Sequence, residues 1–337
     1  MLLLFGEREA EAYVQSHSST GAALAWMPKC LPLPIMVYPG TFSGMTIEEI
    51  TGAVTGAAAA WSAGANPCTF VEFEVTVRDG PAPRPANDGI KTIIFRDTSW
   101  CPLDSTGGCD PVGGVYDPAS PALATMFART TGEIVDVDIE VNAYHFYWAD
   151  RVAHPDPPEP SSYDLQNVLT QEIGHMLGLD SPCFIPGGGP TRPNDNAGQP
   201  VPDCATAPTS VQASTMFPST TPGDVGKRTL EADDRAGVCA IYPAAANPCP
   251  SGGSACACPP PRADGGQDAG GGDDAGASTD GGPADGSSTD AGKKKSSGGG
   301  CSCETAGRSS ERSWRALVFL AAAFAAITRS RRLKGDR

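Results

Sequence analysis

Between Pro259 and Gly300 there is no aromatic side chain and no aliphatic one larger than alanine. A segment of that composition cannot bury enough apolar surface to offset the entropy of ordering it, so it is expected to be disordered. This break confines folding to what precedes it. Nearly all the aromatic and β-branched residues lie ahead of residue 243, and roughly 220 residues suffice for one well-packed core. The 337-residue chain then divides into a short apolar start (1–12), one globular domain (13–243), a linker that is Cys/Pro-rich and then Gly/Asp/Ala-rich (244–300), and a C-terminal piece (301–337).

The formal charge is −15, from 24 basic and 39 acidic residues, which disfavours nucleic acid and anionic lipid as partners. The acidic residues are dispersed, so they favour solubility and name no substrate. Twelve cysteines among Gly- and Pro-rich loops point to an oxidising compartment. Cys101 and Cys109 bracket a short Gly-rich loop, and Cys183 and Cys204 a longer one. Each pair is expected to form a local disulfide. Cys30, Cys68, Cys239 and Cys249 are expected to pair among themselves, in a connectivity that spacing leaves open. Zinc knuckles are a weaker alternative, because Cys256-Ala-Cys258 and Cys301-Ser-Cys303 lack the wider gaps and nearby His that such sites use.

Met1-Leu-Leu-Leu-Phe5 is apolar, Glu7, Arg8 and Glu9 interrupt it, and Ala10-Glu-Ala12 has the small residues of a cleavage site. The run is shorter than a secretory signal needs, so residues 1–12 read as the remnant of one, or alternatively as a frayed start. At the other end Cys301-Ser-Cys303 follows a Gly-Ser run, and an apolar stretch from Ala316 to Ile327 precedes Arg329, Arg331, Arg332 and Lys334. The stretch is short for a bilayer core, although the basic cluster fits a positive-inside stop. This order resembles the myxobacterial C-terminal sorting tails. The resemblance implies processing at Cys301 or Cys303 during surface display, and a plain membrane anchor is the alternative. Both place the domain outside the cytoplasm, at the cell surface or beyond it.

Within the domain, Leu33 to Tyr38 predicts a strand. Thr46 with Glu49 forms a capping box that opens an Ala-rich helix to about Ala63, with Ile47, Ile50, Val54 and Trp61 as its buried stripe. Phe70 to Val77 alternates as a strand, and Ile90 to Phe95 reads as a short buried one. Ala122–Arg129 and Glu133–Val141 flank Thr130-Thr-Gly132 and predict a hairpin, with Val135, Val137, Ile139 and Val141 opposite Asp136, Asp138 and Glu140. A second helix is expected to be capped by Ser161 or Ser162, with Asp164 complementing its dipole. Leu165, Val168, Leu169, Ile173, Met176 and Leu177 form its apolar stripe, and Gly178 ends it. The expected fold is α+β with a twisted mixed sheet.

That second helix carries Thr170-Gln-Glu-Ile-Gly-His-Met-Leu-Gly-Leu-Asp-Ser181. Side chains at i and i+4 share a helix face and can grip one ion, a Glu beside the first reaches the bound water, and a glycine lets the chain turn back with a third ligand. The segment resembles the metzincin pattern H-E-x-x-H-x-x-G-x-x-H, with Glu172, His175 and Gly178 matching, Gln171 at the first ligand position and Ser181 at the third. Leu165–Thr170 is similar to the matrixin active-site helix, and Gly132–Asn142 to the strand that borders the matrixin cleft. Ser214-Thr-Met-Phe-Pro218 resembles the Met-turn, and Leu230–Tyr242 the closing helix.

The resemblance implies a matrixin-like peptidase domain with Glu172 as general base, His175 as zinc ligand, Met216 beneath the metal and a polypeptide in the cleft. It also implies possible calcium contacts from Asp136, Asp138, Asp233 and Asp234, although a solvated face or a helix cap is the commoner use of such residues. Gln171 and Ser181 are poor zinc donors, and Asp180, one position early by roughly 3 Å, is the remaining candidate ligand. A catalytic zinc normally keeps three protein ligands, so peptidase activity is expected to be lost or weakened. The alternatives are an active surface endopeptidase with a rearranged site and a disulfide-stabilised structural module. His145 is expected to pack among aromatics and His154 to be exposed, while His17 lies near the start. A monomer is expected.

Overall fold

The computed structural model describes residues 13–28, 32–104, 106–110, 116–186 and 192–247, and the backbone of 316–317. Residues 1–12, read above as a signal remnant, Cys30, Cys249, residues 248–300 of the linker and the Cys301/Cys303 motif lie outside the described residues.

Two short strands, β1 (Val14–Gln15) and β2 (Ala25–Trp26), lead into β3 (Leu33–Tyr38), whose period-two pattern buries Leu33, Ile35 and Val37. Helix α1 (Ile47–Trp61) starts at the expected capping box: Thr46 Oγ1 accepts from the Glu49 amide at 3.2 Å, and Glu49 Oε2 accepts from the Thr46 amide at 2.7 Å. Ile50, Ala53, Val54, Ala57, Ala58 and Trp61 form its buried face. Ile47, expected in that face, is 47% exposed. The helix start at Thr46–Glu48 is exposed, and Met45, just before the cap, joins Ile50 in the core instead.

The next strands are β4 (Phe73–Val77) and β5 (Lys91–Arg96), then β6 (Ala122–Ala128) and β7 (Glu133–Asn142), which form the expected hairpin. Strand β4 starts three residues later than the alternation suggests, because Phe70 and Val71 are buried in the loop before it. The order across the sheet is β4-β3-β5-β7-β6. Strands β3, β4, β5 and β7 run parallel, as the crossover through α1 demands, and β6 runs antiparallel to β7. Strand β2 adds in parallel to β7. The protein is therefore a mixed α/β domain on a mostly parallel sheet.

Two expectations for β7 need correction. It lies inside the sheet, paired with β5 on one side and β6 on the other, so it presents no free edge along most of its length. Its acidic row is also buried rather than solvated: Asp136, Asp138 and Glu140 are as inaccessible as Val137, Ile139 and Val141. An inner strand of a parallel sheet is covered on both faces, so polar residues there must find internal partners.

The remaining elements are the pair β8 (Trp148–Ala149) and β9 (Tyr163–Asp164), α2 (Leu165–Met176), β10 (Leu179–Asp180) antiparallel to β1, α3 (Thr209–Ala213) and α4 (Ala232–Ile241). A last two-residue strand, β11 (Ala316–Leu317), lies antiparallel on the outer edge of β6. Among the described residues no helix is long and apolar enough to cross a membrane.

Cys101–Cys109 and Cys183–Cys204 are bonded as expected. Of the four cysteines left open, Cys68 and Cys239 form a third bond that joins the turn after α1 to α4. Disulfides of this kind suggest an oxidising or extracellular environment. Loop closure makes the long-range bond the more stabilising, because it spans 171 residues against 8 for Cys101–Cys109. On the chain-entropy scale, Cys68→Ser/Cys239→Ser should cost about 5 kcal/mol and Cys101→Ser/Cys109→Ser about 2.5 kcal/mol. Urea unfolding of the two double variants, compared at equal slope, measures that order.

Candidate functional site

Helix α2 is buried on nearly every side; among Leu165–Met176 only Gln166 escapes full burial. A helix in that position needs internal partners for its ends. Asp164 is the N-cap, with Oδ1 accepting from the Asn167 amide at 2.8 Å. Ser161 and Ser162 do not cap, because the chain passes straight from β9 into the helix and the capping position falls on Asp164. Arg228 holds the same carboxylate and also pairs with Asp150. Three aromatic donors answer helix carbonyls: Trp61 Nε1 to Thr170 O at 2.7 Å, Trp26 Nε1 to Met176 O at 2.8 Å, and Tyr242 Oη to Leu177 O at 2.8 Å.

The helix ends on Gly178, whose φ of +88° suits glycine, and a Cβ there would lie 2.6 Å from the Leu24 carbonyl. The chain then runs back along β1 through Leu179 and Asp180 to Ser181. Below the helix, Met216 packs against Gly174 so closely that a Cβ on Gly174 would sit 2.3 Å from the Met216 sulfur. The Met216 turn is fixed by Asp234 of α4, which accepts from the Thr215 amide at 2.7 Å, the Met216 amide at 3.2 Å and the Glu231 amide at 3.2 Å. Asp234 is thus the helix cap that was the commoner expectation for it, and it also anchors the Met216 turn, which the sequence alone did not reveal.

Gln171, Glu172 and His175 lie together on the buried helix. His175 Nδ1 faces the Leu179 carbonyl at 2.9 Å, so Nδ1 carries the proton and Nε2 presents a lone pair. Nε2 is buried and has no hydrogen-bond partner, and burial holds the ring neutral by lowering its pKa. Glu172 is fully buried, and its contact with the Ala124 amide of β6 falls short of full hydrogen-bond geometry. Burial raises its pKa to about 8, against the opposing effects of the Lys227 charge and the nearby Ala124 amide of β6.

Lys227 is the residue that sequence reasoning missed. It is buried, and its Nζ donates to Gln171 Oε1 at 2.5 Å and to the Phe217 carbonyl. Burial lowers its pKa to about 8, while Asp224, Glu172 and Asp234 favour the charged form. In Val225-Gly-Lys-Arg228 nothing distinguishes it from a surface lysine. Gln171 Nε2 has no partner. Ser181 is buried, with its amide donating to Asp180 Oδ1 at 2.7 Å, and the Asp180 charge also acts on His175.

These residues do not make a good zinc site. His175 Nε2 is one suitable donor, the Gln171 oxygen is already taken by an ammonium, and Ser181 offers a hydroxyl. Among the described residues no three His, Cys, Asp or Glu side chains converge as a metal group.

Other expected site residues serve the frame. Asp136 Oδ2 accepts from the Asp88 and Gly89 amides at 2.9 and 2.6 Å. Asp138 accepts from the Ala86 amide at 2.9 Å and from Thr92 Oγ1 at 2.5 Å. The pair pins the Pro-rich loop to the sheet. His145 stacks edge-on against Tyr144 but is exposed, because the loop carrying both projects outward. His154 is exposed, as expected, and pairs with Glu49 at 2.9 Å. His17 is also exposed.

A scan of protein-family models and a search of curated proteins find no match to this chain. The functional reading therefore rests on the residues themselves.

Burial raises the Asp136 pKa from 3.8 to about 6 and the Asp138 pKa from 3.8 to about 7. The folded protein keeps protons there that the unfolded chain releases above about pH 4, so this pair favours folding most in acid and loses that contribution as pH rises through 6 to 7. Glu172 acts in the same sense up to about 8. Urea midpoints should therefore fall between about pH 4 and pH 7.5. Asp136→Asn/Asp138→Asn should be less stable throughout but show a flatter decline.

Proposed function

We propose that the protein is an exported matrixin-like homologue of zinc metalloendopeptidases that has lost peptidase activity and binds extended polypeptide beside helix α2. Supporting the family reading are the antiparallel strand β6 packed on α2, the glycine exit at Gly178 and the Met216 turn under Gly174. The observation that carries the loss of activity is the Gln171–Lys227 bond. Where cleavage would require a donor to a metal, the side chain is spent on an ammonium. Without a metal, water keeps a pKa near 16 instead of about 7, and Glu172 has no activated nucleophile to deprotonate.

Support for polypeptide binding comes from β6. Its outer edge already accepts Ala316–Leu317 in antiparallel register, with Ala316 opposite Met126 and Leu317 opposite Thr125. Strand addition of that kind recognises backbone first and side chains second. The Cys301/Cys303 tail fits surface display of such a module.

The test is elemental analysis of the full chain secreted into an oxidising compartment, with a fluorescence binding assay against a denatured, thiol-blocked polypeptide. Zinc far below one equivalent after dialysis, no cleavage and saturable polypeptide binding are expected. About one zinc per chain, lost in His175→Ala, would show an active-type site and overturn the loss of activity. Neither zinc nor polypeptide binding would leave a structural surface module.

A further inference from the structure

We infer that the Lys227 ammonium occupies the cation position of this site, so that the missing zinc ligands and the buried lysine form one arrangement. The inference rests on the metal-free reading above. Lys227 is anchored at both ends. Its amide donates to Asn167 Oδ1 at 2.7 Å, and Asn167 is itself buried and bonded to Thr220 Oγ1 at 3.0 Å. From there the side chain follows α2 for one turn, from Asn167 to Gln171, and delivers Nζ to Gln171 Oε1 and to the carbonyl of Phe217, the residue after Met216.

The ammonium thus sits between the helix and the turn that packs beneath it. Its charge acts on both Glu172 and His175, buried residues of the same helix. Asp224, Glu172 and Asp234 in turn favour the charged form of the lysine.

The chemistry of position 171 agrees with this placement. A glutamine oxygen accepts well from an ammonium and poorly serves zinc, and a lysine offers three donors and no acceptor. A buried ammonium persists only where it is paired, and here its partners include the very oxygen that a metal at the first ligand position would use. A dication placed there would meet a fixed like charge at contact range, in surroundings that screen it weakly. Restoring the ligands alone should therefore not restore the metal.

The experiment compares zinc affinity, by chelator competition, in three full-length secreted proteins. These are the natural chain, Gln171→His/Ser181→His, and the same double variant with Lys227→Met. A parallel triple variant with Lys227→Gln retains a donor for Phe217 O and serves if the methionine version does not fold. The triple variant is expected to bind zinc at least about a hundredfold more tightly than the double. In the natural background, Lys227→Met should lower the thermal midpoint, and in the zinc-loaded triple variant the midpoint should recover. Equal affinity in the double and triple variants, whether both bind or neither does, overturns the inference. Stoichiometric zinc in the natural chain would instead overturn the metal-free reading beneath it, so the two failures are distinguishable.

Discussion

A helix buried on all sides imposes the main demand on this protein. Every polar group that α2 brings inward has to be answered by another part of the chain, because an unanswered buried donor or acceptor costs about 1–3 kcal/mol. The answers come from distant segments: Trp26 in β2, Trp61 at the end of α1, Arg228 after the Met216 turn and Tyr242 at the end of α4. The order of the fold follows from this. Sheet and α1 form one wall around α2, the Met216 turn and Lys227 form its floor, and α4 closes the end.

Against that background the groups left unanswered stand out. Among the described residues Nε2 of His175 and Nε2 of Gln171 have no hydrogen-bond partner, and the Glu172 carboxylate has only the Ala124 amide and the Lys227 charge to temper its burial. Native interiors satisfy nearly all their polar atoms, so these three side chains on one helix mark the candidate site. Under the proposed reading Gln171 stands at a ligand position, and Lys227 turns its oxygen to structural use as a hydrogen-bond acceptor.

How far the sequence could be read depended on whether the signal was local. The Thr46/Glu49 box, the β6–β7 hairpin, the break at Gly178 and the two short-range disulfides each declare themselves within a few tens of residues, and all stand in the structure. What was hidden depended on distant partners. The burial of Asp136 and Asp138 needs the loop at residues 86–89 to fold over the sheet, and the interior position of β7 needs β5 beside it. Lys227 was hidden for the same reason: only the fold brings it to Gln171, which lies 56 residues earlier. Of the candidate site, the helix with Gln171, Glu172 and His175 was legible, while the lysine that bonds to Gln171 was not.

The Cys68–Cys239 bond has a consequence for resistance to proteolysis. It encloses the hairpin, α2 and the Met216 turn in one covalent ring, and the Cys183–Cys204 bond forms a smaller ring inside it. A single cut elsewhere in the large ring opens it without releasing a fragment, and a cut between Cys183 and Cys204 leaves it closed through that bond. The severed ends remain tethered and can settle back into place, so the domain tolerates nicking that would dismantle an unlinked one.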